Sequence, residues 1–201
     1  MGVIEMKNLV YTLALALAAM STAHADGIRL GVPAAGGNGC PAGTVSATVS
    51  PDQQSLSILF DQFIAEAGGD TRLTVDRKSC NIAIPVSVPA GLSVSIIAVD
   101  YRGYNILPRG AIARMTAEYF FAGTRGPLFS QTFRGPVNED FLFNNTMAAV
   151  AWSPCGADTI LRVNASMMVQ APRYSDTAMA IVDSADVNAG LIYHIRYRSC
   201  R

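Results

Sequence analysis

The stretch that decides the fold is DRKSCNIAIPVSV at residues 76–88, followed by PAG and then by LSVSIIAVDYRGYNIL at residues 92–107. Apolar residues alternate with polar ones on both sides of the Pro89-Ala90-Gly91 break. This period of two predicts two antiparallel β-strands, each with one buried face, joined by a turn. The apolar positions are Cys80, Ile82, Ile84, Val86 and Val88 before the turn, and Leu92, Val94, Ile96 and Ala98 after it.

The N-terminus has the pattern of a secretory signal peptide. Lys7 precedes an apolar run at residues 9–20 that only Thr12 interrupts, and Ala23-His24-Ala25 supplies a small-x-small cleavage site. The run is shorter than the roughly 20 residues that span a bilayer. We therefore expect cleavage after Ala25 rather than an uncleaved anchor, no later membrane span, and a secreted or extracellular protein, with the periplasm and the cell surface included.

The remaining chain has the length of a single domain with its own core. We divide it into a signal peptide (1–25), a leader rich in Gly, Pro and Ala (26–39), and one β-sandwich domain (40–201). The 15 Lys and Arg residues balance the 15 Asp and Glu residues. A neutral chain lacks the electrostatic footprint of a protein that binds nucleic acid or anionic lipid, so no nucleic-acid partner is expected.

Further apolar alternation predicts short strands along the whole chain. For 111–121 a helix is the alternative, but the Tyr119-Phe120-Phe121 ending favours a strand. Residues 65–70 and 135–140 have the composition of loops. Together the pattern predicts an all-β protein, an antiparallel β-sandwich of Greek-key or jelly-roll type. The additional strands are expected at 44–63 (a hairpin), 71–75, 111–121, 128–134, 146–153, 158–170, 177–183 and 191–198.

Four cysteines lie in the exported part of the chain, at Cys40, Cys80, Cys155 and Cys200. Their even number and the exported context predict two disulfides, and no CxxC pair indicates zinc or thiol-redox chemistry. Three pairings are open. We prefer Cys40–Cys80 with Cys155–Cys200, because each bond then joins segments within one half of the chain. Trp152, close to Cys155, is expected to be a core residue packed on a disulfide.

Several local motifs occur together and in order from Gly39 to Cys200. They are GCPAGT at 39–44, DRKSC at 76–80, DYRGY at 100–104, EYFF at 118–121, WSPCG at 152–156 and the terminal Cys200. In this order the chain resembles the secreted bacterial and fungal proteins grouped as domain of unknown function 4360. The resemblance implies export and a single cysteine-bridged domain, and it brings no catalytic residues, because the family has no established activity.

The best candidate for a contact patch is the group Tyr101, Arg102 and Tyr104. Aromatic rings beside a planar guanidinium can form a stacking platform for a sugar ring or a peptide. The alternative is structural: a tyrosine pair at the edge of the core, with an Arg–Asp bridge that fixes the strand end.

Catalytic and metal chemistry have few candidates. His194 is the only histidine after signal cleavage, which excludes multi-histidine metal sites, and paired cysteines leave no thiol nucleophile. A serine triad would have to use His194, which lies between polar residues of the last strand, and no Gly-x-Ser-x-Gly motif supports it. We therefore predict no metal, no cofactor and no catalytic residues.

Carboxylates are the one catalytic resource that the chain retains. Asp76 and Asp100 flank the central strands, and Glu139 is adjacent to Asp140. A glycosidase needs two carboxyl groups about 5 to 9.5 Å apart. The leading hypothesis is a secreted, non-enzymatic binding or structural module for glycan or protein. The alternative is an extracellular hydrolase using Asp76 and Asp100.

Overall fold

The computed structural model describes residues 27–146, 152–182 and 191–200. The predicted signal peptide, and residues 147–151 of the strand predicted at 146–153, lie outside the described residues. The described part contains a 3-10 helix at Gly69–Thr71 and thirteen strands. These are β1 (Arg29–Leu30), β2 (Ala34–Gly36), β3 (Val45–Val49), β4 (Ser55–Phe60), β5 (Ile64–Ala67), β6 (Val75–Ser87), β7 (Leu92–Leu107), β8 (Ile112–Phe121), β9 (Leu128–Arg134), β10 (Val137–Thr146), β11 (Thr159–Gln170), β12 (Ala178–Val182) and β13 (Leu191–Ser199).

The strands form two antiparallel sheets that pack face to face, which confirms the predicted β-sandwich. The first sheet has the order β1-β6-β11-β8-β9, and β2 also pairs with β6. The second sheet has the order β3-β4-β13-β7-β12-β5. Strand β10 pairs with β7 over Ala98 to Leu107, on the edge opposite β13 and β12. Strand β7 is therefore the centre of the second sheet.

The two strands of the deciding stretch do not pair with each other, contrary to the simplest reading of the sequence. Strand β6 pairs with β11 in the first sheet, and β7 pairs with β13 in the second. The turn at Pro89-Ala90-Gly91 carries the chain from one sheet to the other, and Gly91 takes the left-handed backbone conformation (φ 76°) that this turn requires. Alternation correctly identified the buried face of β6 and of the first residues of β7, but it carries no information about the pairing partner.

A β-bulge in β7 reverses which residues face the core. His194 lies opposite Ala98, whereas Ile195 lies opposite Ile96, so Ile97 is an extra residue. Val94 and Ile96 point inward before the bulge, and Val99 and Tyr101 point inward after it. As a result, Asp100, Arg102 and Tyr104 point away from the core. The uninterrupted alternation predicted through Ala98 is wrong from Ile97 onward.

Three other segments differ from the sequence prediction. The predicted loop at 65–70 contains most of β5, which ends at Ala67 just before Gly68 (φ 81°). The strand predicted at 71–75 is not formed: Thr71 ends the 3-10 helix, and β6 begins only at Val75. The predicted loop at 135–140 contains the start of β10. The leader at 26–39 contributes β1 and β2 to the edge of β6. Residues 112–121 form strand β8, which confirms the strand over the helix.

Aromatic contacts connect the two sheets across the core. Tyr101 stacks on Phe129 of the first sheet, with ring centroids 4.1 Å apart. Tyr119 of the first sheet meets Tyr193 of the second edge to face, at 5.4 Å. The hydroxyl groups of all three tyrosines are buried, and those of Tyr119 and Tyr193 make no hydrogen bond within the described residues. The centre of the sandwich is therefore a mixed cluster of aliphatic and phenolic side chains.

Two disulfides fasten the ends of the sandwich, with the pairing preferred from the sequence. Cys40–Cys80 joins the N-terminal segment to β6, and Cys155–Cys200 joins the turn after Trp152 to the end of β13. All four cysteines are consumed by these bonds. Each disulfide closes a long loop, and on the chain-entropy estimate a loop of this length stabilises the fold by about 4 kcal/mol.

Candidate functional site

The outward side of the second sheet carries the candidate site. We call it the polar face and define it as the outward-pointing side chains of β10, β7 and β13 together with Trp152. The cross-strand register places Asp140 opposite Tyr104, Leu142 opposite Arg102 and Asn144 opposite Asp100. Directly opposed residues of an antiparallel pair share a face, so these side chains form a continuous surface. The members on β13 are Ile192, which lies opposite Asp100, and His194, Arg196 and Arg198.

The three residues of the predicted contact patch are divided between the two sides of the sheet. Tyr101 is fully buried (0% exposed) and stacks on Phe129, so it cannot contact a ligand on the surface. The prediction that Tyr101 belongs to the contact patch is therefore wrong. The physical cause is the bulge at Ile97, which turns the Tyr101 side chain towards the core. Arg102 and Tyr104 lie two positions apart on the polar face, and both are half-buried. The tyrosine pair at the core edge, the structural alternative, is not formed either.

Tyr104 and Arg102 are oriented by their neighbours on the polar face. The Tyr104 hydroxyl donates a hydrogen bond to Oδ1 of Asn138 on β10. The Nε atom of Arg102 is buried and has no hydrogen-bond partner within the described residues. A cavity of ≈ 390 Å³ adjoins this end of the face. Its lining includes Ile106, Asn138, Asp176 and Thr177.

Asp100 is the centre of a hydrogen-bond network across three strands. Nε2 of His194 lies 2.9 Å from Oδ2 of Asp100, and the Asn144 side-chain amide donates to Oδ1 over 2.6 Å. Partial burial acts to raise the pKa of Asp100, but the hydrogen bonds from His194 and Asn144 and the charges of His194 and Arg102 outweigh it, so the pKa lies below its ordinary value. Asp100 therefore stays ionised and faces solvent among donors.

The carboxylates considered for catalysis do not share a site. Asp76 lies on the first sheet, where Oδ2 accepts a hydrogen bond from the Glu66 amide (3.1 Å) and pairs with Lys78 (3.3 Å). Asp100 lies on the outward side of the second sheet, whereas the first sheet packs against its inward side. The two carboxyl groups therefore cannot act together on one glycosidic bond. Likewise, Glu139 and Asp140 are consecutive residues of β10 and point to opposite faces.

His194 uses Nε2 to contact Asp100, and Ser55 of β4 lies directly opposite it. No hydroxyl group within the described residues makes a hydrogen bond to the imidazole. Over the same residues, no cluster of three His, Cys, Asp or Glu side chains has the arrangement of a metal site. Nor does any helix in the described ranges have the length and hydropathy needed to cross a membrane.

Trp152 is a member of the polar face that sequence reasoning misplaced. It forms an isolated antiparallel bridge with Ser95, whose neighbours Val94 and Ile96 point inward, so Trp152 lies on the outward side. The Arg198 guanidinium carbon lies 4.2 Å from the Trp152 ring centroid. The ring is half-buried under this cation rather than packed in the core. Only the register of the bridge reveals this position, because the local sequence WSPCG gives no sign of it.

Comparison with known proteins identifies the family. Residues 26–200 match the family described as "Domain of unknown function (DUF4360)". An "Uncharacterized secreted protein" of Arthroderma benhamiae is 33% identical over 168 residues, which cover 82% of this chain and 69% of that protein.

Two solved structures of carbohydrate-binding modules show weak likeness to the chain. TmCBM61 in complex with β-1,4-galactotriose aligns with a TM-score of 0.32 and 10% identity, covering 84% of this chain and 88% of that one. The family 11 module from Clostridium thermocellum, in complex with a β-1,3-1,4-mixed-linked tetrasaccharide, aligns with a TM-score of 0.19 and 12% identity, covering 84% and 87%. The family match and the curated relative, rather than these alignments, show that the chain is a secreted member of the DUF4360 family.

Proposed function

We propose that this protein is a secreted, non-enzymatic module that binds a glycan on the polar face. The observation that carries the proposal is the outward row Asp100, Arg102 and Tyr104 on the central strand, bordered by Asn144 and Leu142 on β10. It combines an aromatic ring, a planar cation and an ionised carboxylate on one rigid sheet.

This combination suits the chemistry of a sugar. The less polar face of a pyranose ring packs against an aromatic side chain, and its hydroxyl groups need both donors and acceptors. Arg102 and the Asn144 amide supply donors, while Asp100 supplies a charged acceptor. The row from Asp100 to Tyr104 is about 13 Å long at the ordinary rise of a strand. Sites built on strands hold their geometry better than sites on loops, so little ordering is needed on binding.

The same face is less suited to a protein partner. The centre of a stable protein interface is depleted of charged residues and contains apolar anchors. Here the centre holds the Asp100–His194 pair and Arg102, and Leu142 is the one large apolar side chain of the defined polar face that is mostly exposed (61%). Polar recognition with one stacking residue agrees better with a carbohydrate ligand.

The test is a glycan array probed with the oxidised protein after signal cleavage, followed by titration of the hits. We expect Tyr104→Ala and Arg102→Ala each to weaken binding at least 10-fold. The matched control is Tyr174→Ala, because Tyr174 is 94% exposed, lies in the segment between β11 and β12 and is not a residue of the polar face.

Thermal melts of all variants separate lost binding from lost folding. Silence across the array, or hits that Tyr104→Ala and Arg102→Ala leave unchanged, would reject the proposal. Incubation of each hit with the protein tests the non-enzymatic part, since release of shorter oligosaccharides would show hydrolysis instead.

A further inference from the structure

The end of the polar face around Trp152 has a second set of features that the proposed contact row does not use. Arg198 on β13 lies opposite Ser93, and Trp152 lies opposite Ser95, so both side chains cover the start of β7 from its two edges. The guanidinium carbon sits 4.2 Å above the indole centroid. Stacking of this kind fixes the plane of the guanidinium while leaving its N–H groups available as donors.

A cavity of ≈ 390 Å³ opens beside this stack. That volume is within the range of small-molecule sites. Among the described residues, its walls contain no apolar side chain other than the half-cystines and no acidic residue. The described lining consists of Ser93, Ser153, Cys155, Arg198, Ser199 and Cys200.

Backbone hydrogen bonds hold the walls of the cavity in place. The Ser153 amide donates to the Val94 carbonyl over 2.8 Å, and the Val94 amide donates back to the Ser153 hydroxyl oxygen over 3.0 Å. Gly156 donates to the Leu92 carbonyl at 2.8 Å, next to the Cys155–Cys200 disulfide. The segment that carries Trp152 is therefore pinned to β7, and the cavity is a pre-formed site.

The Arg198 guanidinium forms no ion pair with any carboxylate of the described residues. Within the described residues, the ion pairs are Asp76 with Lys78 and Asp100 with His194, and neither involves Arg198. A guanidinium held flat at a serine-lined cavity is complementary to a planar anion, which it can bind through two parallel N–H···O bonds. The hydroxyl groups of Ser93 and Ser153 already donate to the carbonyl oxygens of Ser153 and Pro154. The exposed Ser199 hydroxyl is therefore the lining group that can serve an oxygen that Arg198 leaves unpaired.

We infer that this cavity is a subsite for a carboxylate-bearing sugar residue, and hence that the ligand is an acidic polysaccharide. The inference rests on the proposed glycan binding and names its substrate class. The cavity lies on the same outward side of β7 as Tyr104, about 30 Å away along the strand. An extended polymer can occupy both ends at once, whereas a single small anion can occupy only the cavity.

The chain contains a single tryptophan, so Trp152 fluorescence reports on this site directly. The probes are oligogalacturonate and its fully methyl-esterified form, which have the same backbone and length but differ in charge. We expect the acid form to bind the wild-type protein at least 10-fold more tightly than the ester and to change Trp152 emission. Arg198→Gln should remove this preference and leave ester binding unchanged, and Arg198→Lys should restore it in part.

The matched control is Arg173→Gln, a change at an exposed arginine in the segment between β11 and β12. Equal binding of the acid and ester forms, with loss of both in Tyr104→Ala, would overturn this inference and leave the proposed function intact. If Arg173→Gln and Arg198→Gln weaken the preference for the acid form equally, the preference comes from the overall charge of the protein and not from the cavity. That result would also overturn the inference. Failure of every oligosaccharide, with binding of a peptide carboxylate at Trp152, would overturn both.

Discussion

The imidazole Nε2 of His194 lies 2.9 Å from Oδ2 of Asp100, on the solvent side of the second sheet. This contact joins the last strand of the chain to the central one, and it leaves the Asp100 side chain only 17% exposed. Because the pKa of Asp100 is lowered, the contact also makes the fold sensitive to acid in a way that can be measured.

Asp100→Asn should show this sensitivity. Asp100 in the unfolded chain titrates near its ordinary value of 3.8, and in the folded chain below it. Its contribution to stability is therefore present above about pH 4 and is lost as the pH falls through the folded pKa. We expect the variant to be less stable by under about 1 kcal/mol near neutral pH, with the difference shrinking towards pH 2. Denaturant unfolding across this range checks it; a difference independent of pH would contradict the assignment.

The buried core tyrosines should make the protein lose stability in alkali, as the pH rises. Burial raises the pKa of Tyr119 to about 12, and burial together with neighbouring tyrosines also raises the pKa of Tyr101 and Tyr193 above its ordinary value. Above pH 10 the unfolded chain loses these protons while the folded chain keeps them, so stability falls by about 4 kcal/mol per pH unit.

Tyr119→Phe tests that slope, since it removes one titrating group and should reduce the slope by about a third. Tyrosinate absorbance should rise for the buried residues only together with unfolding. Early, non-cooperative ionisation of all tyrosines would show that the hydroxyl groups are accessible.

Gly103 separates the two polar-face residues Arg102 and Tyr104, and its lack of a side chain is required. A Cβ there would lie 2.1 Å from the Ile181 carbonyl oxygen and 2.4 Å from Cζ of Phe141. Gly103→Ala should therefore destabilise the protein by more than about 2 kcal/mol and disturb glycan binding. Gly36→Ala is the control, because nothing lies within 4 Å of its Cβ, and it should change stability by less than about 0.5 kcal/mol.

The two disulfides should differ in their effect on binding. Replacing Cys155 and Cys200 together by serine removes a wall of the cavity, so it should cost about 4 kcal/mol and also abolish the preference for acidic sugars. Replacing Cys40 and Cys80 should cost a similar amount and leave the preference intact in the folded fraction. Denaturation combined with Trp152 titration distinguishes the two, and an equal loss of preference in both would contradict the cavity assignment.

Sequence periodicity was sufficient to predict where most strands lie in the chain, but not which strands pair with each other. Strands β8, β11 and β13 alternate without interruption, so their buried faces were predicted correctly. Strand β10 was missed because it lies at a sheet edge and begins with the polar run Asn138, Glu139 and Asp140. A polar edge strand has the same composition as a loop, so its sequence alone does not identify it. The charged side chains at such an edge discourage the addition of a further strand.

The candidate site was only partly predictable for a related reason. Arg102 and Tyr104 were found from their chemistry, which local sequence displays. Tyr101 was wrongly included, because the single extra residue Ile97 exchanges the faces of β7 and leaves no mark in the sequence. Asn144 and Trp152 reach the site only through cross-strand register, which depends on partners that are distant in the chain.

The passage of the chain between sheets at Pro89-Ala90-Gly91 has a consequence for how the protein forms. Because β6 and β7 do not pair, neither sheet can begin from this turn as a local hairpin. Strand β6 is paired along most of its length only by β11, and the first half of β7 pairs with β13, so both sheets depend on strands that come much later in the chain. Such long-range pairing makes folding slow. For an exported chain this delay has a use, because neither sheet is complete until strands β11 and β13 are available.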